Sequence, residues 1–80
     1  MFTVLKTAYH QPEQCIGLGD DRDECAAMML KQFKADLEFE GLSDEEIEEA
    51  LDETVGCGID ADEWLGNGTT YRVIEIWGAP

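Results

Sequence analysis

Residues 41–56, GLSDEEIEEALDETVG, decide the fold, because they predict a helix that is apolar on one side and acidic on the others. Ser43 is a good N-cap, and Glu46, three residues later, completes a capping box. Gly56 suits the left-handed residue that ends many helices. At about 100° per residue, the apolar side chains share one arc, which we expect to pack on a core. This arc comprises Ile47, Ala50, Leu51, Thr54 and Val55.

The other sides of this helix carry seven carboxylates: Asp44, Glu45, Glu46, Glu48, Glu49, Asp52 and Glu53. Over about 15 Å of helix they amount to one charge per about 2 Å, close to the one per about 1.7 Å of duplex DNA. Four like-charged pairs at i,i+4 spacing should each destabilise the helix by about 0.2–0.5 kcal/mol. Two interpretations follow, a solvated face that keeps a small protein soluble and a binding face.

The charge of the chain is concentrated around this helix. Net charge is −14 over 80 residues, and residues 36–63 contain thirteen acids and no Lys or Arg. Such a field repels nucleic acid and anionic membranes and attracts basic protein surfaces. The length predicts a single compact domain over residues 1–80 with one small core. Because there is no signal-peptide pattern and no long apolar run, and the three Cys suggest reduced thiols, we expect a cytoplasmic protein.

The rest of the sequence predicts the α+β class, with a two-helix hairpin packed on a small antiparallel sheet of two to three strands. Residues 2–9 are rich in β-branched and aromatic side chains, and residues 15–18 are a candidate return strand. Residues 20–39 predict the long first helix, capped by Asp20. Residues 70–77, TYRVIEIW, alternate as a strand that we expect to pair antiparallel with the first.

A few smaller features bear on chemistry. Asp60 and Glu63 predict a capped helical turn that carries Trp64. Asp60 and Asp62 are spaced like the start of a calcium loop, but the Gly and Glu that an EF-hand requires further along are missing. His10 is the only histidine, and no Gly-rich phosphate loop is present. Neither catalysis nor a cofactor or metal site is predicted.

In its small size, its acidity and its acidic helix DEEIEEALDE, the chain resembles the phage-encoded DNA-mimic inhibitors, including many anti-CRISPR proteins. The resemblance is one of type, carried by residues 36–63. It implies a non-catalytic inhibitor that binds a basic nucleic-acid-binding groove of a host complex and blocks the access of nucleic acid. It also implies action in the host cytoplasm and no direct contact with nucleic acid or membrane.

The predicted partner-binding residues form two acidic clusters and one aromatic anchor. They are Glu45, Glu48, Glu49, Asp52 and Glu53, then Asp60, Asp62 and Glu63, and Trp64. Burial beneath the helix pair is an alternative interpretation for Trp64. The alternative function is a structural or adaptor module with an apolar interface, such as a homodimer through Met28, Phe39 or a strand edge. The acids would then provide solubility.

Overall fold

The computed structural model describes residues 1–54 and 58–76, which form four strands and three helices. The strands are β1 (Phe2–Thr7), β2 (Gln14–Gly19), β3 (Gly58–Asp60) and β4 (Thr70–Glu75); the helices are α1 (Arg22–Phe39), α2 (Asp44–Asp52) and α3 (Asp62–Leu65). The predicted α+β class is confirmed. The sheet has one strand more than the predicted two to three, because β3 is only three residues long and begins with glycine, which leaves no alternation to detect.

The strands form one antiparallel sheet in the order β2-β1-β4-β3. The predicted pairing of the first and last strands is confirmed, with Val4 opposite Val73 and Lys6 opposite Tyr71. The candidate return strand is also confirmed as β2, which pairs with β1 through an irregularity between Val4 and Leu5. The two chain-distant strands β1 and β4 are therefore central in the sheet.

The core lies between one face of this sheet and the helices. Val4, Tyr71 and Val73 share a face through their register, and α1 packs on this side of the sheet. The buried apolar residues of the helices are Cys25, Met29, Phe33 and Leu37 of α1 and Ile47 and Ala50 of α2. The buried residues of α2 follow the predicted spacing, and those of α1 recur every four residues along one face of the helix.

The connection between α1 and α2 is a helix-ending motif built around Gly41. The Gly41 amide donates to the carbonyl of Glu38 at 3.1 Å, and the Leu42 amide donates to that of Leu37 at 3.2 Å. Gly41 has a φ of 87°, the left-handed conformation that this Schellman arrangement requires at its C′ position. Because the last turn of α1 is closed by these bonds, the side chains at its end project from a fixed backbone.

Several predicted boundaries are corrected. The N-cap of α1 is Asp21 rather than Asp20, because the Asp21 carboxylate is the one that accepts the Glu24 amide, at 2.7 Å. For α3 the N-cap is Ala61, whereas Asp60 accepts the Asp62 amide at 3.2 Å. β1 and β4 are shorter than predicted, ending at Thr7 and Glu75, whereas β2 extends one residue beyond its predicted range at each end.

The chain turns at the end of β1. In this turn His10 adopts a φ of 62°, and the Tyr9 amide donates to the Asn67 carbonyl at 3.3 Å.

Helix α2 ends at Asp52, where the Thr54 hydroxyl donates to the Leu51 carbonyl at 2.7 Å. The predicted end at Gly56 and the predicted strand residue Trp77 lie outside the described residues, as does Cys57.

Candidate functional site: an acidic face on α2

The outer surface of α2 presents the first predicted cluster to solvent. Ile47 and Ala50 turn inward and are buried. All five predicted partner-binding residues of this helix region are exposed, namely Glu45, Glu48, Glu49, Asp52 and Glu53. The capping box is present, because the Ser43 hydroxyl accepts the Glu46 amide at 3.3 Å and Glu46 accepts the Ser43 amide at 3.2 Å. The helix therefore begins where the sequence predicts and holds its carboxylates on a regular lattice.

Cations do not neutralise this face within the described part of the chain. The ion pairs found there join Lys6 to Asp36 and Arg72 to Glu13, both at 2.7 Å. Neither pair includes a carboxylate of α2. Because the chain has only five Lys and Arg residues and two of them are used elsewhere, the acidic face keeps its charge available to an external partner.

The second predicted cluster meets the first at a cavity. Glu53 lies at the end of α2, Asp60 on β3, and Glu63 and Trp64 on α3. Together with Thr54, Gly58 and Ile59 they line a space of about 220 Å³. Trp64 is half-buried and packs against the core, so its predicted burial is met in part, and its role as an anchor for a partner stays a prediction. It supports the fold and also forms part of the cavity wall.

Two acids of this second cluster are engaged in shaping the backbone. The Asp62 carboxylate accepts the Gly68 amide at 2.5 Å, which closes the turn between α3 and β4. Asp60 accepts the Asp62 amide and so stabilises the start of α3. Both side chains remain exposed and add negative charge to the surface. Glu63, which makes no such bond among the described residues, is the freer member of the cluster.

The groove between α1 and α2 extends the acidic face. It has a volume of about 400 Å³ and is lined by Lys34, Glu38, Asp44, Ile47, Glu48 and Leu51. Ile47 and Leu51 give it an apolar floor, while three carboxylates and a single ammonium group stand around it. Such a groove can hold the methylene stem of a Lys or Arg side chain while its charged end meets a carboxylate.

Asp36 does not belong to the free acidic face, although the sequence places it in the acidic block. Its Oδ2 accepts from Lys6 Nζ at 2.7 Å and from the Tyr71 hydroxyl, and its Oδ1 accepts from Gln32 at 3.0 Å. Burial alone would raise the pKa of Asp36, but these hydrogen bonds and the Lys6 charge outweigh it and hold the pKa below its ordinary value. The signal in the sequence was the position of Asp36 between Phe33 and Leu37, on the inward side of α1.

Burial shifts the pKa values of two other groups in the core, Tyr71 and Cys25. Burial raises the pKa of the Tyr71 phenol, and the hydrogen bond to Asp36 and the charge of that carboxylate raise it further. Tyr71 therefore stays a neutral donor at physiological pH. Burial also raises the pKa of the Cys25 thiol, which makes this thiol a poor nucleophile. These groups stabilise the core and do not resemble an activated catalytic pair.

Residues 1–54 and 58–76 lack the features of two other classes of site. No group of three or more His, Cys, Asp or Glu side chains there is arranged to hold a metal ion. No helix among them is long and apolar enough to cross a membrane. In comparisons with known proteins, no family model, curated protein or solved structure matches the chain.

Proposed function

We propose that the protein is a non-catalytic acidic inhibitor that binds a basic nucleic-acid-binding groove of a protein complex and blocks the access of nucleic acid, in the manner of a DNA mimic of the anti-CRISPR type. The observation that carries this proposal is the exposed face of α2, which has five predicted partner-binding carboxylates and no ion-paired cation among the described residues. The cavity at Glu53 and Trp64 and the groove between α1 and α2 continue the same surface.

Electrostatics supports this choice of partner. A carboxylate lattice with a linear charge density near that of duplex DNA attracts surfaces that have Lys and Arg placed for phosphates. Because like-charged neighbours on a helix reduce its stability, a face of this kind is costly unless a partner uses it. The partner is therefore a basic protein surface, and we expect the inhibitor to act in the cytoplasm, that of the host if a phage encodes it.

The test is a pull-down from a bacterial lysate at low salt with three baits of the full chain. One is the wild type. The second carries Glu45→Gln, Glu48→Gln and Glu49→Gln, and the third carries Asp20→Asn, Asp23→Asn and Glu75→Gln. The two variants lose the same number of negative charges, but only the second loses them from α2, and all six positions are exposed. Captured proteins are identified by mass spectrometry, and circular dichroism checks that both variants fold.

The proposal predicts that the wild type and the third bait retain a nucleic-acid-binding complex that the second bait loses. Added duplex DNA should displace the bait from that complex. If the α2 variant retains the same complex as the wild type, or if DNA does not compete, the acidic face serves solubility and the proposal fails.

A second candidate function is an adaptor or homodimer with an apolar interface. Phe39 is 89% exposed and Leu18 is 55% exposed, and Leu18 shares with Ile74 the sheet face opposite to Val4. Met28, in contrast, is half-buried against the core and exposes less apolar surface to a partner. Association through such a surface should change little with salt, whereas binding through α2 should weaken steeply. Sedimentation of the protein alone at low and high salt separates the two.

A further inference from the structure

The end of α1 presents an aromatic side chain that the fold does not use. Phe39 is the last residue of α1 and is 89% exposed. Burial of a Phe side chain contributes about 1.5–3 kcal/mol, so an exposed Phe gives up most of that stabilisation. The Schellman bonds at Glu38 and Gly41 hold the backbone on both sides of it. An exposed aromatic side chain on a fixed backbone is a common feature of binding surfaces.

A cavity lies beside this ring. It has a volume of about 360 Å³ and combines half-buried polar groups with apolar walls. Its lining comprises Lys6, Ala8, Gln11, Asp36, Phe39, Glu40, Leu65, Asn67 and Thr69. Three separate parts of the chain build it: the end of α1, the end of β1 with the connection that follows, and the end of α3 with the turn that follows. It is thus a pocket at one end of the sheet, and it is distinct from the cavity at Trp64.

The charges around this pocket favour a cationic occupant. Lys6 and Asp36 form an ion pair at 2.7 Å with side chains that are 23% and 19% exposed, so they largely cancel each other. Glu40 is exposed and is the remaining formal charge in the lining. Asp36, Phe39 and Glu40 of the lining also belong to residues 36–63, which hold thirteen acids and no Lys or Arg. An anionic ligand would be repelled here, and a cation would be attracted.

The exposed ring selects among cations. The guanidinium group of Arg is planar, is more weakly hydrated than an ammonium group, stacks on aromatic faces and pairs with carboxylates through two parallel hydrogen bonds. The ammonium group of Lys is compact and strongly hydrated, so it gains less from a flat ring at a solvated rim. Phe39 and Glu40 are adjacent in sequence and stand at the same pocket rim, which provides both interactions from one site.

We propose that the pocket beside Phe39 receives one arginine side chain of the basic partner, with its guanidinium group stacked on the Phe39 ring and paired with the Glu40 carboxylate. This inference rests on the proposed function, because it assigns a specific anchor to the same basic partner. The α2 face attracts the partner over a distance, and the Phe39 pocket fixes where it docks.

The experiment titrates the full-length, ¹⁵N-labelled protein with N-acetyl-arginine methylamide and, separately, with the lysine analogue. The arginine probe should shift the amide signals of Phe39, Glu40 and Asn67 in a saturable manner, and the lysine probe should bind more weakly. Phe39→Leu keeps an apolar side chain but removes the ring. It should weaken binding of the arginine probe about twofold to fivefold, the factor that corresponds to an exposed cation–π contact.

Two further variants keep the test specific. Glu40→Gln should also weaken binding of the arginine probe. Glu75 is an exposed acid on β4, and Glu75→Gln should leave binding of this probe unchanged. The inference is overturned if Phe39→Leu binds the arginine probe as the wild type does, if both probes bind equally, or if the shifts fall on α2 instead of the pocket.

The two proposals can fail independently. If the Glu45, Glu48 and Glu49 variant still binds the arginine probe at Phe39 while the pull-down shows no dependence on α2, the pocket stands and the proposed function fails. If the pull-down depends on α2 but the probe does not bind at Phe39, the proposed function stands and the pocket is overturned.

Discussion

Asp36 is the residue on which the interior polar contacts converge. It joins α1 to β1 through Lys6 and to β4 through Tyr71, so a single carboxylate links the helix to both central strands. Its side chain is 19% exposed, which means that the loss of a partner would leave polar groups poorly solvated. Removal of one member of such a group costs more than an ordinary surface hydrogen bond contributes.

We expect Asp36→Asn to lower the free energy of unfolding at pH 7 by about 1–3 kcal/mol, because Lys6 then keeps its charge at a partly buried site without a carboxylate. The pKa of Asp36 is lowered in the folded state. Its contribution is therefore present above the ordinary carboxyl pKa of about 3.9 and is lost as pH falls through the folded value.

Urea unfolding between acid and neutral pH measures this effect. The difference between wild type and Asp36→Asn should be constant near neutrality and shrink below about pH 4. The control Glu75→Gln, at an exposed position, should stay within about 0.5 kcal/mol of the wild type. A pH-independent difference would mean that the substitution acts through packing and not through the charge.

Helix α2 shows what sequence can predict at the scale of an element. Its start depends on Ser43 and Glu46, which interact locally, and the structure contains the predicted capping box. Its inward face follows from spacing alone, as the burial of Ile47 and Ala50 confirms. The end of α2 at Asp52 is harder to predict, because Glu53 and Thr54, which follow it, are not typical helix-ending residues.

Other elements depended on contacts that sequence does not display. β3 exists because Ile59 pairs with Tyr71 of β4, a tertiary contact that three residues cannot signal. The pocket at Phe39 could not be predicted either, since its walls come from three segments distant in sequence. The ion pair of Asp36 could be predicted only in part. The position of Asp36 on α1 points inward, but nothing in the sequence identifies Lys6 as its partner.

The acidic face of α2 should be a destabilising feature of the isolated protein. Glu48→Gln combined with Glu49→Gln removes all four like-charged i,i+4 pairs and should raise the free energy of unfolding at low salt by about 1–2 kcal/mol. The control Asp20→Asn with Glu75→Gln changes the net charge equally but removes no α2 pair. Denaturant melts at low salt and at about 1 M NaCl, where the Debye length is about 3 Å, should show the gain disappear with screening. An α2 variant no more stable than the control would show that the local charge density has no cost.

At the scale of the whole molecule, the acidic charge and the aromatic anchor have different roles in the proposed interface. Nearly all of the net charge of −14 comes from residues 36–63, whereas the docking contacts proposed at Phe39 are short-range. Long-range attraction governs how often two proteins meet, and short-range contacts govern how long they stay together. The two parts of the proposed interface should therefore be separable by kinetics.

The measurement is surface binding kinetics of an arginine-rich peptide to the immobilised protein over a salt series. Between about 0.01 M and about 0.15 M salt the Debye length falls from about 30 Å to about 8 Å, so the association rate should fall about tenfold or more while the dissociation rate changes far less. The Glu45, Glu48 and Glu49 variant should lose most of this salt dependence, and the variant at Asp20, Asp23 and Glu75 should keep it. Phe39→Leu should leave the association rate unchanged and raise the dissociation rate, because the ring acts only after contact. Salt dependence confined to the dissociation rate would contradict steering by α2, since a long-range field acts before the complex forms.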